Sequence, residues 1–169
     1  VEPARLDNNG LTLSAWGYAH SIKYGRLISK ATGHQTNNHV WMLSLDNDNE
    51  VRFRCATGSP QEEDEYNTTL LSGGSLNTHQ WVHIVGTYDG TKMKLYLNGS
   101  LVAQDFKTGQ VTADSTVPVW IGANPQDGYQ AFDGILDEVR IANVARSDAW
   151  IELSYHNQKP GATMISIRK

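Results

Sequence analysis

Hydrophobic and polar residues alternate with a period of two along most of this chain, a pattern typical of half-buried β-strands. The clearest case is a succession of three alternating stretches at residues 81–88, 93–97 and 101–103. An Asp-Gly pair at 89–90 and an Asn-Gly pair at 98–99 separate them. Dipeptides of this kind form the tight turns of β-hairpins, so the pattern predicts a three-stranded antiparallel meander.

Other alternating stretches raise the predicted total to roughly ten or eleven short strands, which is typical of an all-β sandwich or barrel. The polar residues 46–49 predict a hairpin loop. One segment has a helical pattern, because Ser147 is a suitable N-cap and Asp148 suits the positive end of a helix dipole. The strands predicted outside the meander are residues 11–18, 26–30, 40–45, 50–55, 68–72, 117–122, 132–141 and 163–167.

The composition indicates one domain over residues 1–169. A chain of 169 residues with 39% hydrophobic content can bury a core, and its formal net charge of −4 argues against a nucleic-acid-binding protein. No apolar stretch reaches the ~18 residues of a membrane span. The chain begins at Val1 without an initiator Met, so we expect a mature or excised segment. The single cysteine, Cys55, alternates with apolar residues and is expected to be a buried, inert thiol.

Three stretches carry motifs that occur together in one fold family. They are LTLSAWGY at 11–18, HQWVHIVGTYDGTKMKLYLNGSLVA at 79–103, and the segment 119–154, which contains GILDEVRI before the predicted helix. In order and spacing they resemble the laminin-G-like, or concanavalin A-like, lectin/glucanase jelly-roll superfamily. The resemblance implies an all-β, two-sheet antiparallel jelly-roll sandwich with one short helix near the C-terminus.

The resemblance also implies a class of function. Members are mostly modules of secreted or cell-surface proteins that bind carbohydrate or protein, often with a calcium ion. By resemblance Asp137 is the best candidate for a calcium ligand, although it is equally suited to a structural hydrogen bond with a neighbouring loop. Members usually start with an extra strand. Here only residues 1–9 precede the first motif, so either that strand is missing or residues 163–167 take its place.

The sequence offers no machinery for catalysis. The laminarinase-like relatives of this fold carry E-x-D-x-x-E on one strand, and no predicted strand here contains it. Asp137 and Glu138 are adjacent, so on a regular strand they would point to opposite faces. The carboxylate run 62–65 is expected to be a solvated loop, and the histidines lack zinc-ligand spacing. His83 is expected to pack within the sandwich as a hydrogen-bonded histidine.

Strand alternation predicts which aromatic and basic side chains face outward. In the run 119–121, Val119 and Ile121 are expected in the core, which leaves Trp120 pointing out. The same rule places Arg52 and Arg54 outward, because the alternate positions of their strand are apolar. An outward tryptophan is unusual on a soluble protein unless a ligand, a loop or another strand covers it.

Tyr96 is also predicted to face outward, and the loop 124–130 adds an exposed aromatic and several amides at one edge of the sandwich. Aromatic rings stack on sugar rings, and guanidinium groups bind carboxylate or sulfate with two hydrogen bonds. If the outward residues share a face, an acidic or sulfated polysaccharide is the expected ligand. The candidate binding residues are Trp120, Tyr96, Arg52, Arg54, Tyr129 and Asn124. The remaining tryptophans, Trp16, Trp41, Trp81 and Trp150, are expected to be structural.

These observations favour a non-catalytic carbohydrate-binding module that recognises a polysaccharide or glycan and belongs to a secreted or surface protein. Two alternatives stay open: a protein-interaction or adhesion domain, and a small glycan-active enzyme. Glycan binding that is lost in Trp120→Ala would distinguish the carbohydrate-binding module from the adhesion domain. New reducing ends or unsaturated products after incubation with polysaccharides would indicate the enzyme.

Overall fold

Ten β-strands and one α-helix make up the regular structure of the computed structural model, which describes residues 10–58, 66–125 and 130–162. The predicted strand at 163–167, the carboxylate run 62–65 and Tyr129 lie outside the described residues. The strands are β1 (Leu11–Ala19), β2 (Gly25–Ala31), β3 (His39–Leu45), β4 (Glu50–Ala56), β5 (Thr68–Ser75), β6 (Trp81–Tyr88), β7 (Lys92–Leu97), β8 (Ser100–Phe106), β9 (Val119–Ile121) and β10 (Gly134–Ala142), and the helix is α1 (Asp148–Gln158).

The strands form two antiparallel five-stranded sheets. Sheet A has the order β10-β1-β6-β7-β8 and sheet B the order β5-β4-β3-β2-β9. The predicted meander is confirmed as β6-β7-β8, and the predicted hairpin as β3-β4. In the hairpin loop the Asp46 carboxylate accepts hydrogen bonds from the backbone N–H groups of Asp48 and Glu50, at 2.9 and 3.2 Å. This two-sheet arrangement confirms the predicted jelly-roll sandwich.

The core lies between the two sheets and is built from alternate strand positions, as the period of two requires. On β4, Val51, Phe53 and Cys55 are fully buried. Across the sandwich β6 presents Gly86, where a Cβ atom would lie 2.4 Å from the Phe53 ring. The two sheets therefore touch through a glycine opposite an aromatic ring. The predicted burial of Cys55 is confirmed, and this burial raises the pKa of its thiol to about 12.

Helix α1 covers part of the outer face of sheet A. Ser147 caps it as predicted, since its hydroxyl accepts the Trp150 N–H at 3.2 Å. The side chain of Ile151 is fully buried and packs with Val85 and Tyr96 in a small second core. Sheet A therefore has buried side chains on both faces, one set against sheet B and one against α1.

Two expectations drawn from alternation are wrong at the edge strand β9. Val119 and Ile121 are 42% and 62% exposed, although both were expected in the core. The cause is position: β9 is the last strand of sheet B, so its inward side chains lie at the rim of the sandwich and not in its middle. In the part of the chain that the structure describes, no helix has the length and apolarity needed to cross a membrane.

Candidate functional site

The outer face of sheet B brings together three of the residues predicted to bind a ligand. Strand register places Arg54, Met42, Ser29 and Trp120 in one row across β4, β3, β2 and β9. Three interstrand spacings separate β4 from β9, which is a distance of about 14 Å. Arg52 lies in the next row, beside Ser44 of β3. The prediction that Arg52, Arg54 and Trp120 share a face is confirmed.

Trp120 provides the accessible aromatic ring of this face. Its side chain is 40% exposed, on the edge strand β9, and it stands opposite Ser29 of β2. Its outward orientation confirms the alternation argument for this residue. A second aromatic ring, Tyr24, is also exposed and lies under the guanidinium of Arg52, with the Cζ atom 5.7 Å from the ring centroid.

Tyr96 does not belong to this face, and the prediction that it does is wrong. It lies on β7 of sheet A, on the other side of the molecule, and only 2% of it is exposed. Its hydroxyl donates a hydrogen bond to the Asp148 carboxylate at 2.7 Å, and Ile151 packs against its ring. Tyr96 does point away from the sandwich core, as alternation predicted. Helix α1 covers it.

The two arginines give the sheet B face a positive charge. Arg54 is 5% exposed, and its Nη1 donates to the Thr36 carbonyl at 2.5 Å. Burial, together with the adjacent Arg52, lowers the pKa of Arg54 to about 10, so it stays cationic at neutral pH. Among residues 10–58, 66–125 and 130–162, no carboxylate lies within ion-pair distance of either arginine. A buried cation is costly unless an anion or hydrogen bonds compensate it, and the Thr36 carbonyl supplies one such bond to Arg54.

Asn124 was expected among the exposed loop amides, and it is instead fully buried. Its Oδ1 atom accepts hydrogen bonds from Arg26 Nε at 3.2 Å and from the Ser29 hydroxyl at 2.8 Å. These bonds tie the loop after β9 to strand β2. Asn124 therefore lies on the outer side of sheet B, against the row that contains Ser29 and Trp120, and its Nδ2 amide has no hydrogen-bond partner within the described residues.

Several buried polar atoms of the sheet B face share this property. In folded proteins such atoms are few, and each needs an explanation such as a ligand or water. Four of the five atoms found here, those of the arginines, the serine and the asparagine, can donate a hydrogen bond. The fifth is an imidazole nitrogen, which donates only when it is protonated. The atoms without a partner in the described residues are Arg52 Nε, Arg54 Nε, His39 Nε2, Ser44 Oγ and Asn124 Nδ2.

His39 and His83 are both buried and neutral. The Nδ1 of His39 donates to the Gln35 carbonyl at 2.9 Å, while burial and the charges of Arg26 and Arg54 lower its pKa to about 4. His83 does not pack within the sandwich as expected. It lies on the outer face of sheet A and stacks on Trp16 at 5.1 Å. Burial, with a smaller effect from Arg140, lowers its pKa to about 4.

These two histidines are expected to make the protein less stable in mild acid. The unfolded chain binds a proton at each histidine near pH 6.5, whereas the folded protein does so only near pH 4. Their contribution is fully present above pH 6.5 and is lost as the pH falls toward 4. At pH 5.5 each should lower the free energy of unfolding by about 1.4 kcal/mol, measured by urea denaturation. His83→Gln should flatten this dependence, and an unchanged dependence would contradict the assignment.

A groove on the opposite side of the molecule contains Asp137 and Glu138, which were expected to point to opposite faces. The register of β1 with β10 shifts between Ser14 and Trp16, and Glu138 has a left-handed backbone with φ of 50°. This β-bulge brings both carboxylates to the wall of one groove, so the sequence expectation is wrong. The Asp137 carboxylate accepts the Glu138 N–H at 2.8 Å.

Calcium at Asp137 stays a prediction. The ion requires six to eight oxygen ligands. Asp137 and Glu138 could supply carboxylate oxygens, but Glu138 also pairs with the Arg140 guanidinium. In the described ranges no group of three or more His, Cys, Asp or Glu side chains is placed to hold a metal ion.

Taken together, these strands define a two-sheet β-sandwich whose sheet B carries a cationic, aromatic-edged surface. The family model of the concanavalin A-like lectin/glucanases superfamily matches residues 1–152. The chain belongs to that superfamily.

Similar proteins come from several contexts. The adhesion G-protein coupled receptor V1 of zebrafish is 29% identical over 154 residues, which cover 87% of this chain and 2% of the receptor. The CBM40 module of the Ruminococcus gnavus IT-sialidase superposes with a TM-score of 0.68 at 17% identity, over 88% of this chain and 83% of that one. The SAP-like pentraxin of Limulus polyphemus gives a TM-score of 0.64 at 17% identity, over 90% of this chain and 72% of that one.

Proposed function

We propose that this chain is a non-catalytic carbohydrate-binding domain that binds an acidic glycan on the outer face of sheet B. The observation that carries the proposal is the pair Arg52 and Arg54, two guanidinium groups on one face with no carboxylate partner among the described residues. Trp120 lies on the same face and exposes its ring. A carboxylate or sulfate group of the glycan would pair with Arg52, and a sugar ring would stack on Trp120.

Trp120 and the arginines are separated by about 14 Å, which is too far for one group to contact both. Ser29 and Met42 lie between them in the row and are fully buried, so a ligand would reach Arg52 and Trp120 as two separate points of this face. Arg52 is more accessible than Arg54, which is buried and bound to the Thr36 carbonyl. In this arrangement Arg52 contacts the anionic group directly, and Arg54 adds positive potential from the neighbouring row. The R. gnavus module was solved bound to α2,3-sialyllactose, which supports a glycan ligand for this fold.

We further propose that the domain acts outside the cell or at its surface and catalyses no reaction. The absence of the E-x-D-x-x-E strand motif supports the second point. Incubation with acidic and neutral polysaccharides should yield no new reducing ends and no unsaturated products. Either product would overturn the non-catalytic assignment without affecting the binding site.

Substituting Arg52 or Trp120 should weaken binding of acidic glycans. A hydrogen bond to a charged group is worth about 1.5–3 kcal/mol, so Arg52→Gln should lower the affinity roughly tenfold to hundredfold. Arg52→Lys keeps the charge but loses the planar fork and should fall between wild type and Arg52→Gln. Affinity electrophoresis in gels that contain neutral or anionic polysaccharides gives the measurement, together with an array of acidic glycans.

Two control variants separate the site from general effects of charge and aromatic content. Arg146→Gln removes one positive charge from an exposed position beyond β10, and Phe106→Ala removes an exposed aromatic ring from β8 of sheet A. Both should bind acidic glycans as wild type does. If Arg52→Gln and Trp120→Ala also bind as wild type does, the sheet B face is not the site.

An adhesion domain that docks a protein partner is the second candidate, and the similarity to the zebrafish adhesion receptor favours it. The chain corresponds to 2% of that receptor, so the receptor's own activity is not carried over. In affinity electrophoresis, no polysaccharide in the gel would slow the migration of an adhesion domain of this kind. Its exposed aromatic residues would instead be protected from solvent by a protein ligand.

A further inference from the structure

The groove on the outer face of sheet A has the features of a second binding site. It has a volume of about 380 Å³ and lies beside helix α1, on the side of the sandwich away from Arg52 and Trp120. Its walls combine two indole rings, two carboxylates and one amide. The residues that line this groove are Trp16, Trp81, Asp137, Glu138, Gln158 and Pro160.

A β-bulge in β10 builds the acidic wall of the groove. Two residues of β10, Glu138 and Val139, stand opposite the single residue Ala15 of β1, and Glu138 adopts φ of 50°. A left-handed backbone costs about 1–3 kcal/mol for a residue other than glycine, and bulges commonly re-aim side chains next to binding sites. Here the bulge turns Glu138 toward the same groove as Asp137.

The polar groups of the groove form a mixed set of donors and acceptors. One oxygen of Asp137 accepts the Glu138 N–H, and one oxygen of Glu138 pairs with Arg140. Trp16 Nε1 donates to Gln158 Oε1 at 2.7 Å, which fixes the amide orientation. The other carboxylate oxygens and the Gln158 NH₂ group have no hydrogen-bond partner among the described residues, so both acceptors and an amide donor are available among the residues that line the groove.

Trp81 supplies the stacking surface. It is the first residue of the central strand β6, it is half-buried, and its ring lies 5.7 Å from that of Tyr18. Trp16 forms the floor, because it is buried and its ring packs against those of His83 and Tyr155, at 5.1 and 5.8 Å. The groove thus has one accessible ring beside its polar groups. A planar ring next to a few fixed polar groups is the usual composition of a small-molecule site.

We infer that this groove is a second carbohydrate site, and that it takes an uncharged sugar. Sugar hydroxyl groups both donate and accept hydrogen bonds, so they match the carboxylate oxygens and the amide together. An acidic sugar would be repelled by Asp137 and Glu138. An ammonium group would use the carboxylates and the ring but would leave the amide donor without a partner. The two faces of the sandwich therefore bind sugars of different charge.

The test is a titration of the intact chain with uncharged gluco-, manno-, galacto- and xylo-oligosaccharides, in which binding is measured by tryptophan fluorescence and by calorimetry. We expect binding by at least one series, weakened roughly tenfold or more in Trp81→Ala. Glu138→Gln keeps a hydrogen-bonding group of similar shape, so its loss should be smaller than that of Trp81→Ala. Phe106→Ala should bind as wild type does.

The outcomes distinguish this inference from the proposed function. Trp81→Ala should retain acidic-glycan binding, which also shows that the variant is folded, and Arg52→Gln should retain uncharged-sugar binding. Failure of every uncharged sugar to bind, with acidic glycans still bound, overturns the second site alone. Tetramethylammonium or lysine peptides that bind in place of sugars, with a large loss in Glu138→Gln, would overturn the assignment of the ligand class.

Discussion

Replacing Gly86 with alanine should lower the free energy of unfolding by about 2–3 kcal/mol. The added Cβ atom would lie 2.4 Å from the Cγ and Cδ2 atoms of Phe53, on the opposite sheet. Phe53 is fully buried and has no route to solvent, so the ring or the two strands must shift. Overpacking of a dense core costs about 1–3 kcal/mol. Urea denaturation of the two proteins at pH 7.5 measures the difference.

Gly17→Ala is the matched control, because Gly17 is also a strand glycine next to core side chains. Its added Cβ would lie 3.4 Å from the nearest atom, Phe132 Cζ, which is ordinary contact. It should change stability by less than about 1 kcal/mol. Phe53→Leu introduced into Gly86→Ala should recover part of the loss, since the two sites are in contact and their effects are not additive. Equal stabilities of the two alanine variants would refute this account of the interface between the sheets.

Alternation in the sequence was sufficient to predict the inward and outward positions of strands β4 and β7. On β7 the inward residues are Met93, Leu95 and Leu97, and all three lie in the core. Tight turns carried equally local information, so the meander could be predicted from two dipeptides. In both cases the physical cause acts between residues that are close in sequence.

The candidate site was predicted only in part, because its assembly depends on which sheet each strand joins. Alternation showed that Tyr96 and Trp120 both point away from the core, and both do. It contains no information on strand order, so it could not show that Tyr96 belongs to sheet A and lies under α1. Asn124 was missed for a related reason, since its burial depends on bonds to Arg26 and Ser29, nearly a hundred residues earlier.

The bulge in β10 did leave a signal in the sequence. In the run GILDEVRI the apolar residues that pack on the core are Leu136 and Val139, three positions apart and not two. A step of three within a strand means that one extra residue is accommodated, which is the definition of a bulge. A strict period of two led to the expectation that Asp137 and Glu138 face opposite ways. The step of three between Leu136 and Val139 therefore marks the bulge that the strict period of two did not predict.

The second large effect on stability is expected at Ile151, where α1 packs on sheet A. This side chain is fully buried with Val85 and Tyr96, and truncation of a buried isoleucine costs about 2–5 kcal/mol. Ile151→Ala should therefore lower the free energy of unfolding by about 3 kcal/mol in urea denaturation. This variant should also weaken the binding of any ligand in the sheet A groove, because Gln158, which lines the groove, lies on the same helix.

Leu153→Ala provides the comparison for Ile151→Ala within the same helix. Leu153 is 48% exposed, so its truncation removes a similar number of atoms from a surface position and should change stability by about 0.5 kcal/mol or less. Helix propensity favours alanine in both variants, so it does not account for a difference between them. A large loss in Ile151→Ala with none in Leu153→Ala means that α1 is an integral part of the fold. Equal small losses would mean that the helix contributes little stability and that Tyr96 becomes accessible when it detaches.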